Sequence, residues 1–158
     1  MLPENANIPE QQRRENECLG LDAGSLLFPP PSKTSLAELH PTPVHIFKLW
    51  QVFLENVNPL TKVIHAPTLQ QRILDASGDL DSVPEDLEAL MFAIYCAALA
   101  SLDDSEVQRN FGETKMKLLA MHRQGAQKAL VNAGLLRTSN MVVLQALVIF
   151  IVGSTSIC

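Results

Sequence analysis

An all-α helical bundle is the fold the sequence predicts, and three observations predict it. After His40, apolar side chains recur at steps of three and four; proline, glycine, serine, aspartate and asparagine fall between those stretches; and no segment alternates apolar and polar residues over a useful length. With 158 residues the chain can bury one real core. Apolar residues at 47% and charged residues at 18% fit a globular chain and exclude a wholly disordered, collagen-like or coiled-coil one.

The first 35 residues are the exception. They are polar, carry Pro3, Pro9 and the Pro29-Pro30-Pro31 triplet, and show no sustained period, so 1–35 reads as a disordered tail or linker. Leu26, Leu27 and Phe28 interrupt it, and exposure within the tail is preferred to docking. Order is predicted to begin at His40-Pro41-Thr42-Pro43, with Pro43 suited to a first helical turn. Ile46, Leu49, Trp50, Phe53 and Val57 then share one face, opposite Lys48, Gln51 and Glu55. That predicts a helix ending near Asn56, with Trp50 and Phe53 inward and Asn58-Pro59 as its breaker.

Pro67 and Thr68 open a second helix with Leu69, Ile73 and Leu74 apolar and Gly78 closing it. Ser82-Val83-Pro84-Glu85 has the spacing of a capping box and predicts a third helix to about Leu102, carrying Leu87, Leu90, Met91, Ile94, Ala97 and Ala98. Asp103, Asp104 and Ser105 cap about one further turn at 106–110, before Gly112. A long element at 113–133 stops at Gly134, a residue suited to a left-handed cap. Thr138 and Ser139 cap the last helix, from Met141 onward. Apolar on nearly every face, it is predicted to sit at the bundle's centre.

The chemistry on offer is sparse. A net charge of −5 supplies no general attraction to phosphate, so sequence-specific nucleic-acid binding is not expected. Cys18, Cys96 and Cys158 are odd in number and dispersed, which excludes a disulfide framework and a self-contained zinc site. No apolar core of a signal peptide occupies residues 1–20, and the longest apolar run, 141–152, falls short of the roughly 20 residues a membrane span needs. An intracellular chain without a membrane partner is the expectation.

His40, His45, His65 and His122 stand at no metal-ligand spacing, so surface or capping roles are preferred for them. Asp79, Asp81, Glu85, Asp86 and Glu88 read as helix-start acids, with Gly misplaced for a calcium loop. Trp50 and Phe53 read as core, not as a base-stacking platform. No nucleophile elbow, Walker-type loop or dinucleotide turn is present. No catalytic, cofactor-binding, metal or DNA-binding residue is assigned, no cofactor is expected, and the chain does not read as an enzyme.

One long phrase adds to this. His40-Pro41-Thr42-Pro43 runs through Leu49-Trp50-Gln51-Val52-Phe53-Leu54-Glu55-Asn56-Val57-Asn58-Pro59-Leu60 to His65-Ala66-Pro67-Thr68, followed by Ile94-Tyr95-Cys96-Ala97-Ala98. Together with Phe111-Gly112-Glu113, the segment 127–134 and Val143-Leu144-Gln145-Ala146, it resembles the regulatory middle homology domain of fungal zinc-cluster transcription factors over about residues 36–152. The motif residues are Leu49, Trp50, Gln51, Phe53, Leu54, Glu55, Asn56, Asn58, Pro59, His65, Pro67 and Thr68, to which the resemblance gives a structural role.

Two departures qualify the resemblance. The family's DNA-binding module needs six cysteines and a basic run, whereas only Cys18 precedes His40; the family's domain also continues past the helix at Met141. The resemblance therefore implies a partial regulatory domain at 36–153, with 154–158 as a tail, lacking the zinc-cluster module. It implies a nuclear protein that regulates transcription of a metabolic gene set through protein contacts, with a related full-length factor or a second copy as partner. A small helical ligand-sensing or scaffold domain, and a truncated remnant without activity, are the alternatives. The last helix has apolar residues on more than one side, among them Val142, Val143, Leu147, Val148, Phe150 and Ile151, so part of its surface is expected to stay open or to bind a partner.

Overall fold

The computed structural model of the chain describes residues 35–155, whose regular structure is helical, with no strand among them. The tail expected at 1–35, with Leu26, Leu27, Phe28 and Cys18, falls outside the described residues except for Ser35, as does Cys158. Order starts earlier than the His40-Pro41 signal suggests. A 3-10 turn spans Ala37–Leu39, and Leu36 before it is buried in the core.

Helix α1, Pro43–Val52, opens as the sequence predicts: Thr42 Oγ1 accepts from the His45 amide at 3.4 Å, and Pro43 needs no donor in the first turn. The Asn58-Pro59 break does not occur. A π-helical turn, Phe53–Val57, passes directly into a short α2, Asn58–Thr61. The Asn58 amide reaches back five residues to the Phe53 carbonyl, and this widened turn admits Pro59, which has no amide proton and would clash in a regular helix. The path ends at Lys62, whose φ of 47° is left-handed. Helix α3, Ala66–Ser77, follows and ends at Gly78, but Leu74, expected on its apolar face, is exposed.

Helix α4, Glu85–Ala100, is the centre of the bundle, with 13 of its 16 residues buried. It packs most extensively against α7 (Met141–Thr155) and α6 (Lys115–Asn132), and then against α1. This corrects the placing of the last helix at the centre. α4 carries alanine at 89, 93, 97, 98 and 100, so neighbouring helices can close on several of its sides, whereas bulky side chains ring α7 and only one side of it is covered. At Gly153 the approach is so close that a Cβ would stand 2.9 Å from the Ala97 Cα. The capping box at Ser82 does not form either. The Ser82 hydroxyl donates to the Asp79 carboxylate inside a 3-10 turn, Leu80–Ser82, and α4 starts after Pro84. Glu85, Asp86 and Glu88 lie in its first turn, where the helix dipole favours negative charge.

A capping box does form one helix later. Asp103 accepts from the Glu106 amide at 2.8 Å and the Glu106 carboxylate accepts from the Asp103 amide at 3.0 Å, so α5, Asp104–Phe111, makes two turns where one was expected. Gly112 ends it at φ 72°. Lys115 then places its ammonium on the carbonyls of Leu102, at 2.6 Å, and Ala100, at 3.4 Å, a cation at the C-terminal end of α4. The last helix is capped by Asn140, whose Oδ1 accepts from the Val142 amide at 2.9 Å; Thr138 serves Asn140 and not the helix itself. α7 runs to Thr155, past the expected start of a tail at 154.

One substitution measures how tightly α6 sits on α4. A Cβ on Gly125 would meet the Phe92 ring at 2.6 Å, and Phe92 is fully buried. Gly125→Ala should cost about 1–3 kcal/mol of stability by overpacking, although alanine favours a helix interior by about 1 kcal/mol over glycine. Urea denaturation reads the sign, and a stabilised variant would contradict this packing.

Candidate functional site

The motif residues do not gather into one cluster. Leu49, Trp50 and Phe53 are buried, and the Trp50 and Phe53 rings stack at 5.9 Å and 18°. Trp50 Nε1 donates to Gln70 Oε1 at 3.4 Å, which ties α1 to α3. Gln51, Glu55 and Asn56 face outward, and Asn56 Nδ2 donates to Ser101 Oγ at 3.1 Å. Leu54 and Asn58 are half-buried, Asn58 Oδ1 has no hydrogen-bond partner among the described residues, and Pro59 is exposed in the turn that the π segment accommodates. His65, Pro67 and Thr68 lie at the start of α3, with His65 Nδ1 and Thr68 Oγ1 at 2.8 Å.

His65 and Thr68 do meet the last helix. They line one side of a small groove of about 140 Å³ whose far side is Val142 and Gln145 of α7. Gln145 Nε2 donates to the Val63 carbonyl at 2.8 Å, so the only polar side chain in the first turns of α7 is spent on holding the motif segment.

Beyond that tie α7 divides sharply. Val143, Ala146, Ile149, Phe150, Gly153 and Ser154 are buried, whereas Met141, Leu144, Val148 and Ile151 are 66%, 40%, 44% and 40% exposed. Steps of three, four and three place those four on one stripe. α7 carries no acidic or basic residue. A solvent-facing helix surface ordinarily carries charge, and an uncharged apolar stripe of this kind is suited to packing against a further element. Sequence reasoning named Val148 and Ile151 for this role but missed Met141 and Leu144. It also included Val143 and Phe150, which are inside. The phase of Ala146 and Gly153, small residues suited to close helix contact, was the signal that could have oriented the helix.

The histidines are placed differently from expectation as well, for His40 and His122 are buried. His40 Nε2 donates to the Glu88 carboxylate at 3.1 Å, which leaves Nδ1 to accept from the Tyr95 hydroxyl at 3.1 Å. This brace fixes the segment before α1 to α4. Burial, and then the charge of Glu88, push the Tyr95 hydroxyl well above its ordinary pKa. His122 lies 5.5 Å from the Tyr95 ring and 6.4 Å from the Phe92 ring, and burial, then His40, lower its pKa to about 4. Cys96 is buried and its thiol is pushed up to about 12, so it is a packing residue without nucleophilic character.

No family model and no solved structure matches the chain. Curated proteins do. It is 46% identical over 135 residues to the transcriptional regulator AacuB of Aspergillus aculeatus, an alignment covering 85% of this chain and 18% of that protein. It is 42% identical over 134 residues to the aurofusarin cluster transcription factor aurR2 of Gibberella zeae, covering 85% and 20%. It is 34% identical over 143 residues to the C6 finger domain transcription factor adaR of Aspergillus niger, covering 89% and 18%. The chain is a homologue of the fungal C6 zinc-cluster transcription factors.

The homology is to the regulatory, middle homology region of these factors, and the chain spans about a fifth of their length. The relatives of this zinc-cluster homologue regulate transcription and are not enzymes. Among the described residues no group of three histidines, cysteines or carboxylates is placed to hold a metal ion.

Proposed function

We propose that the chain is a regulatory module of the zinc-cluster type, residues 36–153, that acts in the nucleus through protein contacts and without sequence-specific DNA binding of its own. The observation that carries this is the uncharged stripe of Met141, Leu144, Val148 and Ile151 on α7. Its partner is the regulatory region of a related full-length factor, and its output is the expression of a metabolic gene set. The naming of one relative for a gene cluster supports that class of target, and the net charge of −5 supports contact with protein over contact with DNA.

Co-expression of the chain with a related full-length factor and a reporter gene under that factor's control tests the reading. The chain should change reporter output. The triple variant Leu144→Gln, Val148→Gln, Ile151→Gln should abolish the change and weaken association of the purified proteins at least about tenfold. A triple variant that still alters the reporter, or a gel shift by the chain alone on one promoter and not on scrambled DNA, would defeat it.

A further inference from the structure

α7 packs over Ala97 of α4, with α3 on one flank and α6 on the other. Leu90 of α4 meets α3 and α7 in the small groove, whereas Gly125 of α6 lies against Phe92. The open stripe of Met141, Leu144, Val148 and Ile151 runs along the outer side of α7 for about 15 Å. Its two edges carry the charge that α7 lacks. Arg72 of α3 lines the groove beside Val142 and Gln145. Arg123 of α6 stands about 140–160° round its helix from Leu118 and Met121, which line a recess with Leu49 of α1 and Phe111 of α5. That turns it towards the α7 flank, where its charge acts on the Cys96 thiol.

Both arginines are half-buried, and neither has a hydrogen bond or an ion pair among the described residues. The acids near them are engaged elsewhere: Asp75 accepts from Gln71 at 2.9 Å, and Asp86 from Asn140 at 3.1 Å. A guanidinium beside an apolar surface is matched by a carboxylate that arrives with the covering chain, because docking excludes the water that would otherwise screen the pair. A lysine arriving there is repelled. The ridge between α3 and α6 suits a helix laid along it, whose apolar side chains recur at the same steps of three and four. An added strand finds no sheet edge among the described residues.

We infer that the stripe takes an amphipathic helix of the partner whose apolar row is edged on both sides by aspartate or glutamate, with Arg72 and Arg123 as the residues that select it. This rests on the reading of the stripe as the docking surface and adds the chemistry of what docks there.

Titration of the whole 158-residue chain with two synthetic helical peptides tests the inference. Each has about 20 residues, long enough to hold a helix, and the same leucine row, edged with glutamate in one and with lysine in the other. The glutamate peptide should bind one-to-one and about tenfold tighter than the lysine peptide at low salt, the gap narrowing as salt is raised. The chain's net charge of −5 pulls the other way, so general attraction cannot produce that order. The double variant Arg72→Glu, Arg123→Glu should reverse the preference, and the α7 triple variant should bind neither peptide.

Equal affinities in the wild type, tighter binding of the lysine peptide, or a folded double variant that keeps the glutamate preference would overturn the inference. If the triple variant still abolished binding in that case, the stripe would stand as a docking surface of another specificity. Binding of neither peptide by the wild type, or binding that survives in the triple variant, would overturn the stripe and the inference together. The two peptides compared on the wild type decide the matter even where a variant fails to fold.

Discussion

Trp50→Ala should remove about 3–5 kcal/mol of folding free energy, a large share of the roughly 5–15 kcal/mol that holds a domain together. Trp50 is 2% exposed, stacks on Phe53, and donates its indole N–H to Gln70. Its loss opens a cavity in the core beside Phe53 and leaves the Gln70 carbonyl without that donor. Chemical denaturation followed by far-ultraviolet circular dichroism reads the effect as a fall in midpoint. A cost under about 1 kcal/mol would mean the helical segment at Pro43–Val57 is peripheral to the core.

Acid should destabilise the chain through His122. Its pKa falls from an ordinary 6.5 to about 4 in the fold, so between those values the unfolded chain takes up a proton that the folded chain refuses. Stability is therefore level above pH 6.5 and declines as pH drops, by an amount on the order of 3 kcal/mol at pH 4. His122 faces His40, from the segment before α1, and the Tyr95 ring of α4, and neither offers a negative charge to stabilise an imidazolium directly. Asp103 titrates in another window: hydrogen bonds from Ser105 and Glu106 lower its carboxyl below 3.8, so its share of stability is lost only at more acid pH. His122→Leu should flatten the decline between pH 6.5 and 4. A wild-type stability that stays level across that range would contradict the buried, neutral His122.

Much of this was legible in the residues. The inward face of α1, and that of α3 apart from Leu74, follow from apolar spacing, because the face that must leave water is written in the order of side chains. Turn details were less legible. Pro59 looked like a helix breaker because sequence rules assume a regular helix, and a π turn relieves the steric conflict they count on. Ser82 had the capping spacing, yet Asp79 competes for its hydroxyl.

The orientation of α7 was illegible for a deeper reason. A helix apolar all round records how much it could bury, and only the neighbours decide how much it does. His40 and His122 are similar. Their surroundings, Glu88 and Tyr95 for one and the Phe92 and Tyr95 rings for the other, lie far away in sequence, so spacing alone gave them surface roles.

The central claim is that α7 carries one face for its own core and another for a partner. Light scattering and circular dichroism on three proteins test it most directly: the wild type, the Leu144→Gln, Val148→Gln, Ile151→Gln variant, and Phe150→Ser. The wild type should self-associate as its concentration rises and bind a hydrophobic dye. The triple variant should be monomeric with unchanged helicity, at a cost under about 1 kcal/mol per substitution. Phe150→Ser, at a fully buried position, should lose helicity, since about 3 kcal/mol or more goes with that ring. A monodisperse wild type that binds no dye, or a triple variant that unfolds as Phe150→Ser does, would contradict the account.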